Sequence, residues 1–209
     1  MTAARGRPRS FDRTTALERA MAVFWEQGYE ATSMTDLTSA MEIRSPSLYA
    51  AFGSKEKLFL EAVALYGATE GEFIARALAD EPTAREAVAA ILRGNVRAYT
   101  DEAKPGGCMI VQAAANCSAE NAPIQERLAQ WREDGISSIA RRVEQGILNG
   151  ELPADTDTRA VASFYTAVLQ GMSVQARDGA TRSDLEKVAE RAIAAWDVVT
   201  GAVSSSATG

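Results

Sequence analysis

The chain has 209 residues, 46% of them hydrophobic, with 22 Lys and Arg against 28 Asp and Glu, for a formal net charge of −6. That length suits one large or two small domains with an ample core; no apolar run approaches the roughly 18 residues of a membrane span, and the basic N-terminus lacks the apolar stretch of a signal peptide. Histidine is absent, which excludes an imidazole metal site and a His-based catalytic triad, and two cysteines without an export signal point to a reducing cytoplasm.

The sequence reads as all-α, about nine helices without internal repeat or strand-like alternation. Arg5, Arg7 and Arg9 alternate with Gly6 and Pro8, a composition that resists helix and suits an arm lying along phosphates or entering a minor groove; a solvated basic tail is the plainer reading. A first helix is expected over about 13–27, with Leu17, Ala20, Met21 and Phe24 on one face and Gly28 ending it. Ser33 followed by Asp36 has the form of a capping box for a second helix over 34–41, which turns Leu37, Ala40 and Met41 inward. Ile43 pins a tight turn. Ser45 is expected to cap, and Pro46 to open, a third helix of one or two turns that buries Leu48 and Phe52. Its free face keeps Arg44, Ser45, Ser47, Tyr49 and Ala50, a set of small residues, hydroxyls and one aromatic that fits a DNA major groove.

Ser54 caps a fourth helix expected to run to about Ala79, a rigid lever of about 37 Å, with Gly67 and Gly71 as its weak points for a bend. Thr83 and Glu86 form a capping box for the fifth helix, which ends before Pro105-Gly106-Gly107. A short apolar sixth helix is expected over 108–118. The seventh runs from Pro123 to about Leu148, and the eighth covers about 156–177 until Asp178-Gly179 breaks it. The ninth, capped by Ser183 with Glu186, ends near Thr200. The tail 203–209 has nothing to bury and is expected to be disordered.

The stretch from Ser33 to Phe59, and LYAAFGSKEKLF within it above all, resembles the DNA-binding region of the tetracycline-repressor (TetR) family of bacterial transcription regulators. Phe24, Gly28, Tyr29, Thr32, Leu37, Ala40, Ile43, Leu48, Phe52 and Leu58 also carry the match. The resemblance is strong over the first 60 residues or so and rests beyond them on length and helical pattern. It implies a three-helix helix-turn-helix domain over 1–60 and a helical ligand-binding and dimerisation domain over 61–202. It also implies a homodimer that binds a palindromic operator in double-stranded DNA, most often as a repressor, and is released by a small-molecule inducer. Such a protein is not an enzyme, and no cofactor, metal or membrane partner is expected. By family position Ser33, Thr35, Tyr49 and Lys55 are phosphate contacts, while Arg44, Ser45, Ser47 and Ala50 are candidate base readers, with a further phosphate contact the equal alternative for Arg44. One departure is Glu42, which stands where the family usually has glycine, at a turn that often needs φ > 0. Residues 1–60 hold eight basic and seven acidic groups, so the acidic excess lies in the remainder and the N-terminal end is the one to face phosphates.

The last two long helices present broad apolar faces. Phe164, Val168, Gly171, Met172, Val188, Ile193 and Trp196 are the candidate dimer contacts, forming in the family a four-helix bundle with the second subunit; packing inward within one chain is the alternative. Tyr99, Cys108, Met109, Gln112, Asn116, Trp131, Phe164 and Tyr165 are candidates to line a ligand cavity, although such residues serve plain cores as readily. Their apolar character suggests a neutral or weakly polar organic ligand. Cys108 and Cys117 are too far apart on one helix, at about 13 Å, for a disulfide. Cys108 follows two glycines near a helix start, where a thiol pKa can fall, and some relatives of similar pattern sense oxidants or electrophiles near this place. Thiol sensing through Cys108 is therefore the alternative function. A helical ligand carrier or enzyme without DNA binding is a remoter one, opposed by the absence of any phosphate loop or metal-ligand cluster.

Overall fold

The computed structural model describes residues 11–114 and 121–202, and within them all regular structure is helical. Arg7 and Arg9 of the arm, Asn116, Cys117 and the tail 203–209 lie outside the described residues.

Helix α1 (Arg13–Ala31) starts at Asp12, whose carboxylate accepts the Thr15 N–H at 2.9 Å. Gly28 leaves helical geometry at φ 80°, ψ 170°, and the chain recovers a last helical turn before Thr32. The capping box of Ser33 and Asp36 opens α2 (Met34–Met41). α3 (Ser45–Phe52) begins one residue earlier than expected: Arg44 is the capping residue, without a side-chain cap, and Ser45 is already helical.

The expected long fourth helix is two. α4 (Lys55–Thr69) stops, and α5 (Glu72–Asp80) starts after an interruption at Glu70-Gly71. Gly71 permits the break, since a Cβ there would lie 2.8 Å from the Gly67 carbonyl oxygen. Phe73 of α5 lies over α6 (Ala84–Tyr99) at Gly94, where a Cβ would come within 2.3 Å of the ring. The lever of the sequence reading is therefore 15 residues long.

α7 (Met109–Ala114) and α8 (Ala122–Leu148) follow, then α9 (Thr158–Arg177) on its Asp157 cap. α10 (Arg182–Ala194) is capped by Thr181 with Asp184, two residues before the expected Ser183. It stops at Ala195, so the expected ninth helix also divides, leaving α11 (Trp196–Thr200).

Burial sorts into two cores. One gathers Phe24, Tyr29, Leu37, Leu48, Phe52 and Phe59, with Phe24 and Phe59 edge to face at 5.0 Å. It continues into Met109, Ala113, Ile124 and Leu128, so the packing crosses the boundary drawn at residue 60. The other joins α5, α6, α8, α9, α10 and α11 around Ile91, Leu92, Tyr165, Met172 and Leu185. Cys108 packs against both cores.

Polar links from α1 also bind the halves. Trp25 Nε1 donates to the Gly107 carbonyl at 3.2 Å, and the Arg177 guanidinium donates to the Glu26 carbonyl and stands 3.4 Å from its carboxylate. Gly107 has φ 77°, and a Cβ on it would sit 2.5 Å from the Ser173 carbonyl oxygen, so only glycine suits this crossing.

Candidate functional site

The first candidate surface is the free face of α3. Leu48 and Phe52 are buried and fix the helix by one side. Arg44, Ser45, Tyr49 and Ala50 are exposed on the other, Tyr49 by 50%, and Ser47 is half-buried. The turn before α3 holds Glu42 at φ 55°, ψ 38°, with its carboxylate 2.9 Å from Arg19 Nη1.

The start of α2 is more committed than its sequence suggests. The Ser33 hydroxyl donates to Asp36 Oδ2 at 2.6 Å and accepts the Asp36 N–H at 3.1 Å. That hydroxyl, followed by the Ser33 amide, holds the Asp36 carboxyl below its ordinary range. A phosphate approaching here meets a carboxylate already seated at the positive end of the helix, so Ser33 is occupied by its own chain, while Thr35 is exposed.

Lys55 is similarly engaged. Its ammonium stands 4.5 Å from the centre of the Tyr29 ring, and burial lowers its pKa while Glu30 acts the other way. Lys57, which sequence reasoning did not single out, is exposed nearby.

The second candidate is a cavity of about 500 Å³ between α4, α5, α6, α8 and α9. Tyr99, Cys108 and Trp131 line it as expected. Met109 instead lies in the first core, Gln112 turns to the Gly106 carbonyl at 2.9 Å, and Phe164 points outward, 40% exposed. Tyr165 is buried against Trp196 at 5.6 Å and donates to the Ala192 carbonyl at 3.2 Å. Residues that the sequence reading did not name for the lining include Tyr66, Phe73, Asn95, Arg132 and Thr166. Tyr66, Tyr99 and Cys108 share the cavity wall. Burial first, then the neighbouring Cys108, pushes both phenols far above their usual range, so both stay neutral.

Of the candidate dimer contacts, Met172 and Trp196 are buried in the second core and unavailable to a partner. Val168, Val188 and Ile193 are half-buried, and Phe164 and Gly171 are exposed. Ala160, Phe164, Ala167, Gly171 and Val174 form an exposed stripe along α9 at helical spacing. Among the described residues no helix is long and apolar enough to cross a membrane, and no cluster of His, Cys, Asp or Glu is suited to a metal ion.

Comparison with known proteins gives concordant matches. Residues 16–62 match the family model for bacterial regulatory proteins of the tetR family, and residues 82–195 match a tetracyclin repressor-like C-terminal domain. The HTH-type transcriptional repressor ComR of Escherichia coli (strain K12) is 32% identical over 193 residues, 92% of each chain. The HTH-type transcriptional repressor BdcR of the same organism is 31% identical over 175 residues, 83% of each chain. A cysteine mutant of the TetR family transcriptional regulator CifR, solved in complex with 26-bp double-strand operator DNA, is 49% identical. It is matched over 91% of this chain and 100% of that one, with a TM-score of 0.89.

Proposed function

Because this chain belongs to the TetR family and is a DNA-binding transcriptional repressor, not an enzyme, we propose that it acts in the cytoplasm as a homodimer on a palindromic operator and is released when a small organic ligand fills the cavity between α4, α5, α6, α8 and α9. The observation that carries this reading is the exposed face of α3, whose unburied groups have no packing task within the chain. Arg44 forks onto a guanine edge, with Ser45, Ser47 and Ala50 beside it on the bases. Tyr49 offers its hydroxyl to phosphate and its ring to sugar. Thr35 and Lys55, and the arm with Arg7 and Arg9, add phosphate contacts that hold the register.

Release follows from shared walls. Tyr66 of α4 and Cys108 beside Gly107 line the cavity, and Gly107 takes the Trp25 N–H of α1. A ligand that favours one arrangement of these walls favours one placement of α1 and α4, and so one separation of the two recognition helices. Tight binding needs that separation near one DNA turn, about 34 Å.

Fluorescence anisotropy tests the reading on labelled DNA from upstream of the protein's own gene, against a scrambled duplex, at two salt concentrations. Saturable binding to the upstream fragment alone is expected. Tyr49→Ala should weaken it at least about tenfold with no change in melting temperature. Equal, weak binding to both duplexes would overturn the proposal of a local operator.

A second reading, regulation through the thiol, is favoured by the position of Cys108 in the cavity wall between two phenols. Cys108→Ser should then bind operator normally and ignore electrophiles such as N-ethylmaleimide that release the unaltered protein. An undiminished response in the variant removes this reading.

A further inference from the structure

We infer that the cavity selects an organic anion: its ligand is an amphipathic acid, an aryl or medium-chain alkyl carboxylate, whose head group is taken by Arg132 of α8 and Thr166 of α9. The inference rests on the proposal that this cavity is the inducer site, and it replaces the neutral ligand suggested by the sequence.

Arg132 Nη1 and Thr166 Oγ1 are both buried without a hydrogen-bond partner, and both residues line the cavity. Buried polar atoms in folded proteins are nearly always paired, so two orphans on residues that line one cavity, from two of its helices, call for a common explanation. A guanidinium offers only donors and keeps its charge, so what satisfies it must be an acceptor, and an anionic acceptor does so best.

The two acids of the lining, Glu70 and Asp134, do not pair with Arg132. Glu70 also lines the cavity, but its two carboxylate oxygens accept from Lys104 Nζ at 2.9 and 2.7 Å. Asp134 is exposed, and its Oδ1 accepts from Gln130 at 2.9 Å. Arg132 makes no ion pair within 4.0 Å among the described residues, whereas the remaining orphan, Arg142 Nη1, stands 4.0 Å from Glu151 and outside the cavity.

The remaining wall determines the rest of the ligand. Phe73, Ile74, Leu78, Ile91, Trp131 and Leu169 offer apolar surface, which suits an aliphatic or aromatic body. One guanidinium with one hydroxyl matches a single negative charge better than a phosphate dianion, and the carboxylates of Glu70 and Asp134 in the same lining disfavour a second charge further. The volume of about 500 Å³ lies within the usual range for small-molecule sites.

Isothermal titration of the full-length protein tests this with matched acids and alcohols: octanoate and octanol, phenylbutyrate and phenylbutanol, naphthylacetate and naphthylethanol. At least one acid should bind about tenfold or more tightly than its alcohol. Arg132→Met should abolish that preference and Thr166→Val reduce it, with folding of both checked by thermal melting. The comparison in the unaltered protein stands even if a variant fails to fold. Alcohols binding as tightly as their acids, a preference that survives Arg132→Met, or no binding by any of the three acids would overturn the inference. Operator anisotropy in the presence of each acid is read separately. An acid that binds selectively yet leaves the DNA complex intact upholds the anion site and overturns ligand release.

Discussion

Glu42 is the one non-glycine residue at positive φ among the described residues. A side chain in this left-handed region costs about 1–2 kcal/mol, and its ion pair with Arg19 joins two well-exposed side chains, an arrangement worth about 0–1 kcal/mol. Glycine would relieve the strain but give back roughly 0.5–1 kcal/mol in chain entropy. Glu42→Gly should therefore raise stability by up to about 1 kcal/mol, a gain of roughly 2–4 °C in melting temperature for a chain of this size, read by calorimetry. An unchanged or lower value would mean that Arg19 offsets the strain. This position was legible as a departure from a glycine pattern. The roles of Ser33 and Lys55 were less so, because each depends on a partner that only the fold supplies. Asp36 engages the Ser33 hydroxyl, and the Tyr29 ring lies under the Lys55 ammonium. A sequence marks a hydroxyl or cation at a family position; it does not mark that its own chain already uses that group.

Among elements, caps and terminators were the legible features. Ser33, Ser54 and Thr83 all accept the backbone N–H three residues on, as their patterns demand. Where two signals competed, packing chose. Thr181-Asp184 and Ser183-Glu186 have the same hydroxyl-and-acid spacing, and the earlier pair caps α10. Starting there adds helix ahead of Leu185, which is fully buried, and lets the Arg182 side chain reach the Thr100 hydroxyl at 3.3 Å. The break at Glu70-Gly71 was visible only as a weak point, because the packing that accompanies it involves Gly94, 23 residues on, which leaves the space that Phe73 fills. The cavity was half legible for the same reason. Tyr99, Cys108 and Trp131 announce themselves as apolar or aromatic, but Arg132 reads as a solvated charge, and only the fold buries its Nη1 in the wall of the cavity.

For the molecule as a whole, the two apolar faces of the C-terminal helices divide their labour. Met172 and Trp196, at 0% and 4% exposure, hold α9 and α11 to their own chain, whereas the stripe from Ala160 through Phe164, Ala167 and Gly171 to Val174 is open. Three of those five residues have little or no side chain, which lets a second helix approach closely, and Phe164 and Val174 give apolar surface that water disfavours. In the proposed homodimer, a two-fold interface that set this stripe against its copy would feel one substitution twice. Phe164→Arg places two cations at that seam and should shift the protein to monomer in analytical ultracentrifugation. It should also weaken operator binding steeply, since each monomer then holds one half-site alone. Helix content should persist, because Phe164 is 40% exposed and lies outside both buried cores. Met172→Arg should behave differently and unfold the chain, because it puts a charge into the second core. A Phe164→Arg protein that remains dimeric and keeps its operator affinity would move the interface off α9. A monomer that still binds operator tightly would leave α9 as the seam but remove the requirement for paired half-sites.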